Sequence, residues 1–316
     1  MNNKEKYALF VRQNEDIPIF LTDWWQEIVN KGNWDALFVE RKGDIIAAMP
    51  YSIRRKWGFS SIITPVLTPI SGFHIAYPDN IGRIRRISIE NQVMREFARS
   101  LGRLKISFYS HKHSFRYPNW LGYKWEGFSQ TSLPSYHIDL TRTWEAITAD
   151  MHPDTKRLAR NASKQLIVSK NGVSIKAFCD LNVLTYERQK MRMPFDYEVL
   201  YRLTAASLER HQALLLSAET SDGRLAACVL CVFDRGAFYT PIAASNPDLQ
   251  TTNAATLLYY EAIRHAYEQR FDLFDFTGSS MPQIEHLLRY FGAVQTPYNL
   301  IERYYSPLFR HLRLLK

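Results

Sequence analysis

Asp275 closes an apolar run, residues 273–276, just before Thr277, Gly278 and Ser279. A carboxylate at the end of a strand can polarise an attacking amine, directly or through a water; it can equally accept hydrogen bonds from the amides of the turn at 277–279. Tyr239 lies in a second apolar run, 237–244, where its phenol either donates to a carbonyl or packs. That run leads through a polar loop, 245–253, carrying Asn246, Thr252 and Asn253, into a helical pattern that starts at Ala254. Free amides at a helix start, with the helix dipole behind them, favour a pyrophosphate or an acyl carbonyl. These groups together suit acyl transfer to an amine. That reaction needs a donor with its carbonyl exposed, an acceptor nitrogen relieved of a proton, and hydrogen-bond donors for the developing oxyanion. Arg157, Arg160 and Lys164 recur at three- and four-residue spacing and share one face of a helix. Same-sign charge adds little to fold stability, so this face is the candidate for an acceptor or phosphate group.

The elements that must position these residues fall into two similar halves. In the first, a helix at 24–31, capped by Thr22 or Asp23, precedes a hairpin with arms 36–41 and 44–53 turned at Lys42 and Gly43. An irregular Pro-rich stretch, 64–78, leads to a helix at 87–101, with Ile89, Val93, Phe97 and Leu101 on one face, and then to a strand at 105–109. In the second half, helices at 153–171 and 195–211 precede a hairpin with arms 213–220 and 225–233 turned at Ser221, Asp222 and Gly223. A strand at 237–244, a helix at 254–270, a strand at 273–276, a short helix at 282–291 and a last strand at 297–304 complete it. The order helix, hairpin, strand, helix, strand thus occurs twice, with a junction at 136–142. Domains of 1–140 and 141–316 are expected, with the last residues able to pack back on the first.

Composition bounds the function. At 316 residues the chain exceeds the roughly 250 that one core usually reaches, and 46% hydrophobic residues with 22% charged is an ordinary folding mixture. No run approaches the roughly 18 apolar residues that span a bilayer, and the polar start shows no secretory signal, so a cytoplasmic location is expected. Three cysteines, Cys179, Cys228 and Cys231, cannot form an even disulfide framework. Cys228 and Cys231 fall on opposite faces of one strand, and His111 and His113 read as loop histidines, so no metal site is expected. The net charge of +9 is concentrated in blocks, including Arg83 to Lys105 and Lys156 to Lys164. That distribution favours a polyanionic or nucleotide-bearing ligand, leaving tRNA, coenzyme A and a UDP-linked acceptor open.

Residues 271–298 carry the most specific pattern: an apolar strand ending in Asp275-Phe276, a loop with Gly278-Ser279, a short helix, then Phe291-Gly292 before a final strand. This closely resembles the closing motif of the FemABX-like branch of the GNAT acyltransferase superfamily, which includes aminoacyl-tRNA-dependent peptidyltransferases of cell-wall cross-bridge synthesis. Arg160, Asn161, Ala162, Ser163 and Lys164 resemble that branch's Arg-Lys-Ala-x-Lys helix start, and Tyr136, His137, Ile138, Asp139 and Leu140 its Tyr-x-Ile-Asp-Leu strand. Pro65, Leu67, Thr68 and Gly72, and the aromatic segment with Trp120, Gly122, Tyr123 and Phe128, extend the likeness over most of the chain. The resemblance implies an α/β chain of two tandem GNAT-like domains, mixed central sheets flanked by helices. It implies that the strands at 237–244 and 273–276 splay to admit the acyl arm, with Asp275 and Tyr239 in catalysis. Asn246, Thr252, Asn253, Gly278 and Ser279 would then hold the donor. No cofactor need be tightly bound, because acyl-CoA or aminoacyl-tRNA arrives as co-substrate, and the amine acceptor would be of the type of a UDP-linked muropeptide.

Two departures matter. CoA-using GNATs carry Arg/Gln-x-x-Gly-x-Gly at the donor loop, whereas this chain has Gln250, Thr251, Thr252, Asn253, Ala254 and Ala255; the FemABX-like branch departs from the glycine pattern as well. Four residues before Gly292, where GNATs often place a tyrosine acid and Fem-type enzymes a lysine, stands Leu288. The expected function is N-acyl transfer, and the alternative is a catalytically inactive GNAT-fold protein that binds a phosphate-bearing ligand.

Overall fold

Asn2 and Glu5 form a reciprocal capping box that starts α1 (Asn3–Gln13), a helix that the polar N-terminal residues had not suggested. The computed structural model describes every residue except Gln189, Ser279, Ser280, Leu315 and Lys316, and every side chain but those and Gln283 and Leu314. After α1 come α2 (Asp23–Val29) and the hairpin β1 (Asp35–Arg41) and β2 (Asp44–Tyr51), with Lys42 and Gly43 both in left-handed backbone, as the turn requires. A second hairpin, β3 (Ile53–Lys56) and β4 (Phe59–Ile63), turns at Trp57 and Gly58, again both left-handed. The short β5 (His74–Ile75), α3 (Arg83–Arg103), β6 (Phe108–His113), α4 (Leu121–Trp125) and β7 (Ser129–Asp139) follow. Next come α5 (Trp144–Asp150), α6 (Pro153–Ala162), β8 (Leu166–Lys170), α7 (Ile175–Arg188), α8 (Tyr197–Glu209), β9 (Ala213–Thr220), β10 (Leu225–Phe233) and β11 (Ala237–Ser245). A 3-10 turn at Pro247–Thr252 introduces α9 (Ala254–Glu268), then β12 (Leu273–Asp275), α10 (Pro282–Tyr290), β13 (Val294–Tyr304) and α11 (Pro307–Leu314).

The chain forms two compact units, Met1–Leu133 with Pro297–Lys316, and Pro134–Thr296. In the first, β1, β2 and β5 make one small antiparallel sheet, while β3, β4, β6 and β13 are neighbours in another, β4 and β6 running parallel. The buried side of α3, Val93, Met94, Phe97 and Leu101, packs with Met49, Phe73, Tyr109 and Tyr123. In the second unit the strand order is β7, β12, β11, β10, β9, β8, and β12 with β11 is a parallel pair. Alternate residues of this sheet, Leu214, Leu216, Val229, Phe238 and Phe274, share a core with Leu257, Leu258, Ala262 and Ile263 of α9. The intervening Leu215, Ser217, Leu230 and Tyr239 are equally buried, and α7 and α8 contact β9, β10 and β11. Both faces of the sheet are therefore covered.

Several sequence expectations need correction. The helix expected at 153–171 ends at Ala162, because residues 166–170 gain a full antiparallel ladder with β9, from Leu166 opposite Thr220 to Lys170 opposite Leu216. Residues 136–139, read both as part of the junction and as a strand motif, lie in β7, where His137, Ile138 and Asp139 pair with β12. The strand expected at 105–109 runs instead from Phe108 to His113. His111 and His113 are consequently not loop residues but buried strand residues, and burial pushes both imidazoles down to about 3, His113 also through its neighbour His111. His113 meets the Tyr109 hydroxyl at 3.1 Å, whereas neither ring nitrogen of His111 has a hydrogen-bond partner. Among the described residues no group of three or more His, Cys, Asp or Glu side chains could hold a metal ion, and no helix is long and apolar enough to cross a membrane.

These buried imidazoles predict a pH dependence. An unfolded histidine takes up its proton near pH ~6.5, while the folded pair resists protonation until about 3. The unfolded state then binds more protons within that window, so stability is full above ~6.5 and falls as pH drops toward 3. His111→Leu removes a buried polar group that has no partner. It is expected to keep or raise the melting temperature at neutral pH and to flatten the acid limb in thermal melts taken across that range.

Candidate functional site

β12 is only three residues long, and its parallel register with β11 stops at Tyr239 opposite Asp275. Beyond that pair β11 continues to Ser245, while the other chain turns away through Thr277 and Gly278, with φ of 60° and 70°. The two strands part at this point. Thr240, the first residue of β11 beyond the register, is buried and its hydroxyl has no hydrogen-bond partner among the described residues. At the same end of the sheet β11 leads into α9, whose N-cap Asn253 makes no side-chain capping bond. The first-turn amides of α9 are thus left for another acceptor.

Asp275 is buried, and its carboxylate is held by two hydrogen bonds with an imidazole close by. Oδ1 accepts from the Ser135 hydroxyl at 2.6 Å and from the Thr277 amide at 2.7 Å, and Oδ2 lies 3.3 Å from His137 Nε2. His137 stands opposite Asp275 in the antiparallel register of β7 and β12, which puts imidazole and carboxylate side by side. The sequence reading had His137 only as a member of a strand motif. Its partnership with Asp275 depends on a strand pairing between residues more than a hundred positions apart, which no local pattern reports.

A second feature is a cleft of about 570 Å³ between α6 and α9, with Lys156, Arg157, Arg160 and Ser163 on one wall and Tyr260, Glu261 and Arg264 on the other. Most of its cations are already engaged. Lys156 donates to the Thr148 carbonyl at 2.9 Å, Arg157 pairs with Asp154 at 2.7 Å, and Arg264 pairs with Glu268 at 2.9 Å. Arg160 has no side-chain partner among the described residues, so its full donor set faces solvent.

Among the other residues singled out from sequence, Tyr239 is fully buried and donates to Asp234 Oδ2 at 3.0 Å. Asn246 caps the 3-10 turn by accepting from the Asp248 amide and donates to the Leu225 carbonyl; Thr252 and Asn253 bond the carbonyls of Leu249 and Thr251. These three side chains are thus spent on the loop's own backbone. Lys164 lies past the end of α6 and is not among the residues that line the cleft, so the shared face reduces to Arg157 and Arg160. Ser279 lies outside the described residues. Leu288 is buried in the core with Phe276, Tyr259 and Phe291. On the same helix Glu285 accepts from the Tyr136 hydroxyl at 3.0 Å and forms an ion pair with Arg289 at 3.1 Å; burial, then the bond to Glu285, raises the phenol's pKa.

A covered mixed sheet whose parallel neighbours part after three residues, with a helix N-terminus at the same end, is the GNAT fold. Residues 153–286 match the family described as an acetyltransferase (GNAT) domain. Over nearly the whole chain the fold is that of FemX, with a TM-score of 0.69 and 12% identity, covering 94% of this chain and 95% of that one. The C-terminal domain (DUF2156) of a protein from Agrobacterium fabrum, provisionally named a lysylphosphatidylglycerol synthetase, gives 0.61 and 13%, covering 99% and 95%. L-PGS from Bacillus licheniformis gives 0.57 and 11%, covering 98% and 95%. At such identities the likeness is one of fold. No curated protein matches the sequence.

The parting of the strands depends on Gly278. A Cβ there would lie 2.2 Å from the Pro134 carbonyl oxygen, in backbone of φ +70°. Gly278→Ala is expected to cost about 2–3 kcal/mol through clash and left-handed strain, read as a lowered midpoint in denaturant unfolding.

Proposed function

We propose that this chain is an N-acyltransferase of GNAT and Fem-like type, moving an acyl or aminoacyl group from a thioester or tRNA ester to an amine acceptor. The observation that carries the reading is the opening between β11 and β12, with the Asp275–His137 pair at its closed end and the α9 amides at its mouth. The amine nitrogen attacks the donor carbonyl, and the carbonyl oxygen becomes an oxyanion. Its charge is stabilised by backbone donors at the parted strands. The attacking nitrogen loses its proton to the carboxylate–imidazole pair, directly or through a water. Collapse expels the thiolate or ribose oxygen, which takes a proton in turn, so charge and protons balance. Asp275 is held by Ser135 and the Thr277 amide, and its second oxygen lies 3.3 Å from the imidazole of His137.

The donor is acyl-CoA or a charged tRNA as co-substrate, with no tightly bound cofactor required. Its phosphates have two candidate positions, the amides at the start of α9 and Arg160 in the α6–α9 cleft. A UDP-linked muropeptide is the acceptor that the Fem-like fold suggests for testing first. A second reading, a GNAT-fold protein that binds a phosphate-bearing ligand without turnover, draws on Leu288, which fills the core where related enzymes place a proton donor.

The deciding experiment offers purified protein labelled acetyl-CoA and charged tRNA in parallel, with an amine panel that includes UDP-linked muropeptides. Turnover is expected, and Asp275→Asn and His137→Gln should each lower it by about tenfold or more while the proteins remain folded by circular dichroism. Full activity in Asp275→Asn would assign that carboxylate to the turn alone. Saturable ligand binding with no turnover against any amine would favour the second reading. In either case Arg160→Ala should weaken binding of coenzyme A or a charged tRNA by about tenfold, the loss of one charge-assisted contact, as measured by calorimetry.

A further inference from the structure

In the first unit, the β3–β4 hairpin and α11 present an unusual surface. Residues 53–63 and 303–316 contain no carboxylate, yet they hold Arg54, Arg55, Lys56, Arg310 and Arg313. The tight turn of the hairpin projects Trp57, which is 74% exposed, with the Lys56 ammonium over its ring at 4.4 Å. On α11, Phe309 anchors the helix by packing on Phe59 and Phe108, with ring centroids 5.0 and 5.7 Å away. Leu308, 61% exposed, immediately precedes Phe309, and Leu312, 45% exposed, follows it by one turn; the two leucines are four positions apart and hence on one helix face. Between hairpin and helix lies an apolar cleft of about 420 Å³, floored by Phe59 and Phe309 and rimmed by Lys56, Trp57, Leu312 and Arg313.

Each part of this surface is costly in water. Three large apolar side chains are exposed together, and several cations lie close to one another, with Glu302 3.8 Å from Arg313. A bilayer interface relieves both at once, because tryptophan and leucine enter the boundary between headgroups and acyl chains while arginine and lysine remain at the phosphates. A nucleic acid would answer the charge but leave the two leucines in water. We propose that this hairpin and helix dock the protein on the surface of an anionic phospholipid bilayer, with Trp57, Leu308 and Leu312 as the apolar contacts and Arg55, Lys56 and Arg310 as the headgroup contacts. The surface carries none of the residues assigned to acyl transfer, so the proposal stands independently of that reading.

The test is cosedimentation of the full chain with vesicles of phosphatidylcholine alone and of phosphatidylcholine mixed with phosphatidylglycerol, at low and high salt. Binding is expected only to the mixed vesicles and should weaken as salt rises. Arg55→Glu with Arg310→Glu should reduce it by more than about tenfold, since each cation near an anionic surface is worth a factor of about five. Trp57→Ser with Leu308→Ser should reduce it by a similar factor, whereas Trp125→Ser, at a tryptophan 58% exposed elsewhere in the unit, should leave it unchanged. All these positions are exposed, and unchanged thermal melts would show that the variants fold. Absence of binding to mixed vesicles overturns the proposal. So does binding that ignores Trp57 and Leu308 but is competed by tRNA, which would mark the patch as a nucleic-acid surface.

Discussion

A buried carboxylate cannot be left without hydrogen bonds, and at Asp275 that requirement organises the second unit. Removing an unpaired carboxylate from water would cost several kcal/mol, enough to consume much of the stability of a domain. Here Ser135 and the Thr277 amide share one oxygen, and His137 approaches the other. The bond to Thr277 has a geometric consequence, because its amide can reach back only if the chain leaves the sheet at once. Thr277 and Gly278 accordingly take left-handed backbone, and β12 ends after three residues. β11 has no such constraint and continues. The gap between the strands is thus tied to the hydrogen bonding of one side chain.

The alternation of strand side chains then divides the labour between the two faces of the sheet. Phe274 and Phe276 point toward α9 and α10, where they meet Phe238, Tyr259 and Phe291 in a continuous aromatic layer. Leu288 belongs to that layer. A lysine or tyrosine at its position would have to bury a polar group among rings that offer no partner. The proposed acyl transfer would therefore draw its proton acceptor from the other parity of β12, the parity of Asp275 and its cross-strand neighbours Tyr239 and His137. Tyr239 is already committed to Asp234, which leaves the carboxylate–imidazole pair.

What was legible in the sequence follows the same physical division. The hairpin of β9 and β10 was read to the residue, because two long apolar runs flank a turn with Asp222 and Gly223. The succession β11, α9, β12, α10 was read to within two residues, since glycine, proline and caps punctuate it. The errors arose where pairing overrides local pattern. Residues 166–170 look helical in isolation and become a strand only because β9 offers an edge. His111 and His113 look like loop residues until β13 pairs beside them. Of the site, Asp275 was visible as a strand-ending carboxylate, but His137 was not, because its role is created by register across β7 and β12. Arg157 and Arg160 were legible from helical spacing alone, although spacing could not show that Arg157 is paired and Arg160 is not.

The net charge of +9 resolves into surfaces of different physical character. The cleft between α6 and α9 is concave, mixes its arginines with Glu261, and keeps most cations tied in local pairs. Such a site discriminates, because a ligand gains only where it meets Arg160 or displaces an existing partner. The hairpin and α11 instead combine exposed cations with exposed tryptophan and leucine, without any carboxylate in either segment. A surface of that kind responds to an extended field and an apolar boundary more than to the shape of one ligand. Charge number alone would have merged the two. It is the local ratio of paired to unpaired cations, and whether apolar side chains stand among them, that separates the charged cleft from the proposed docking face.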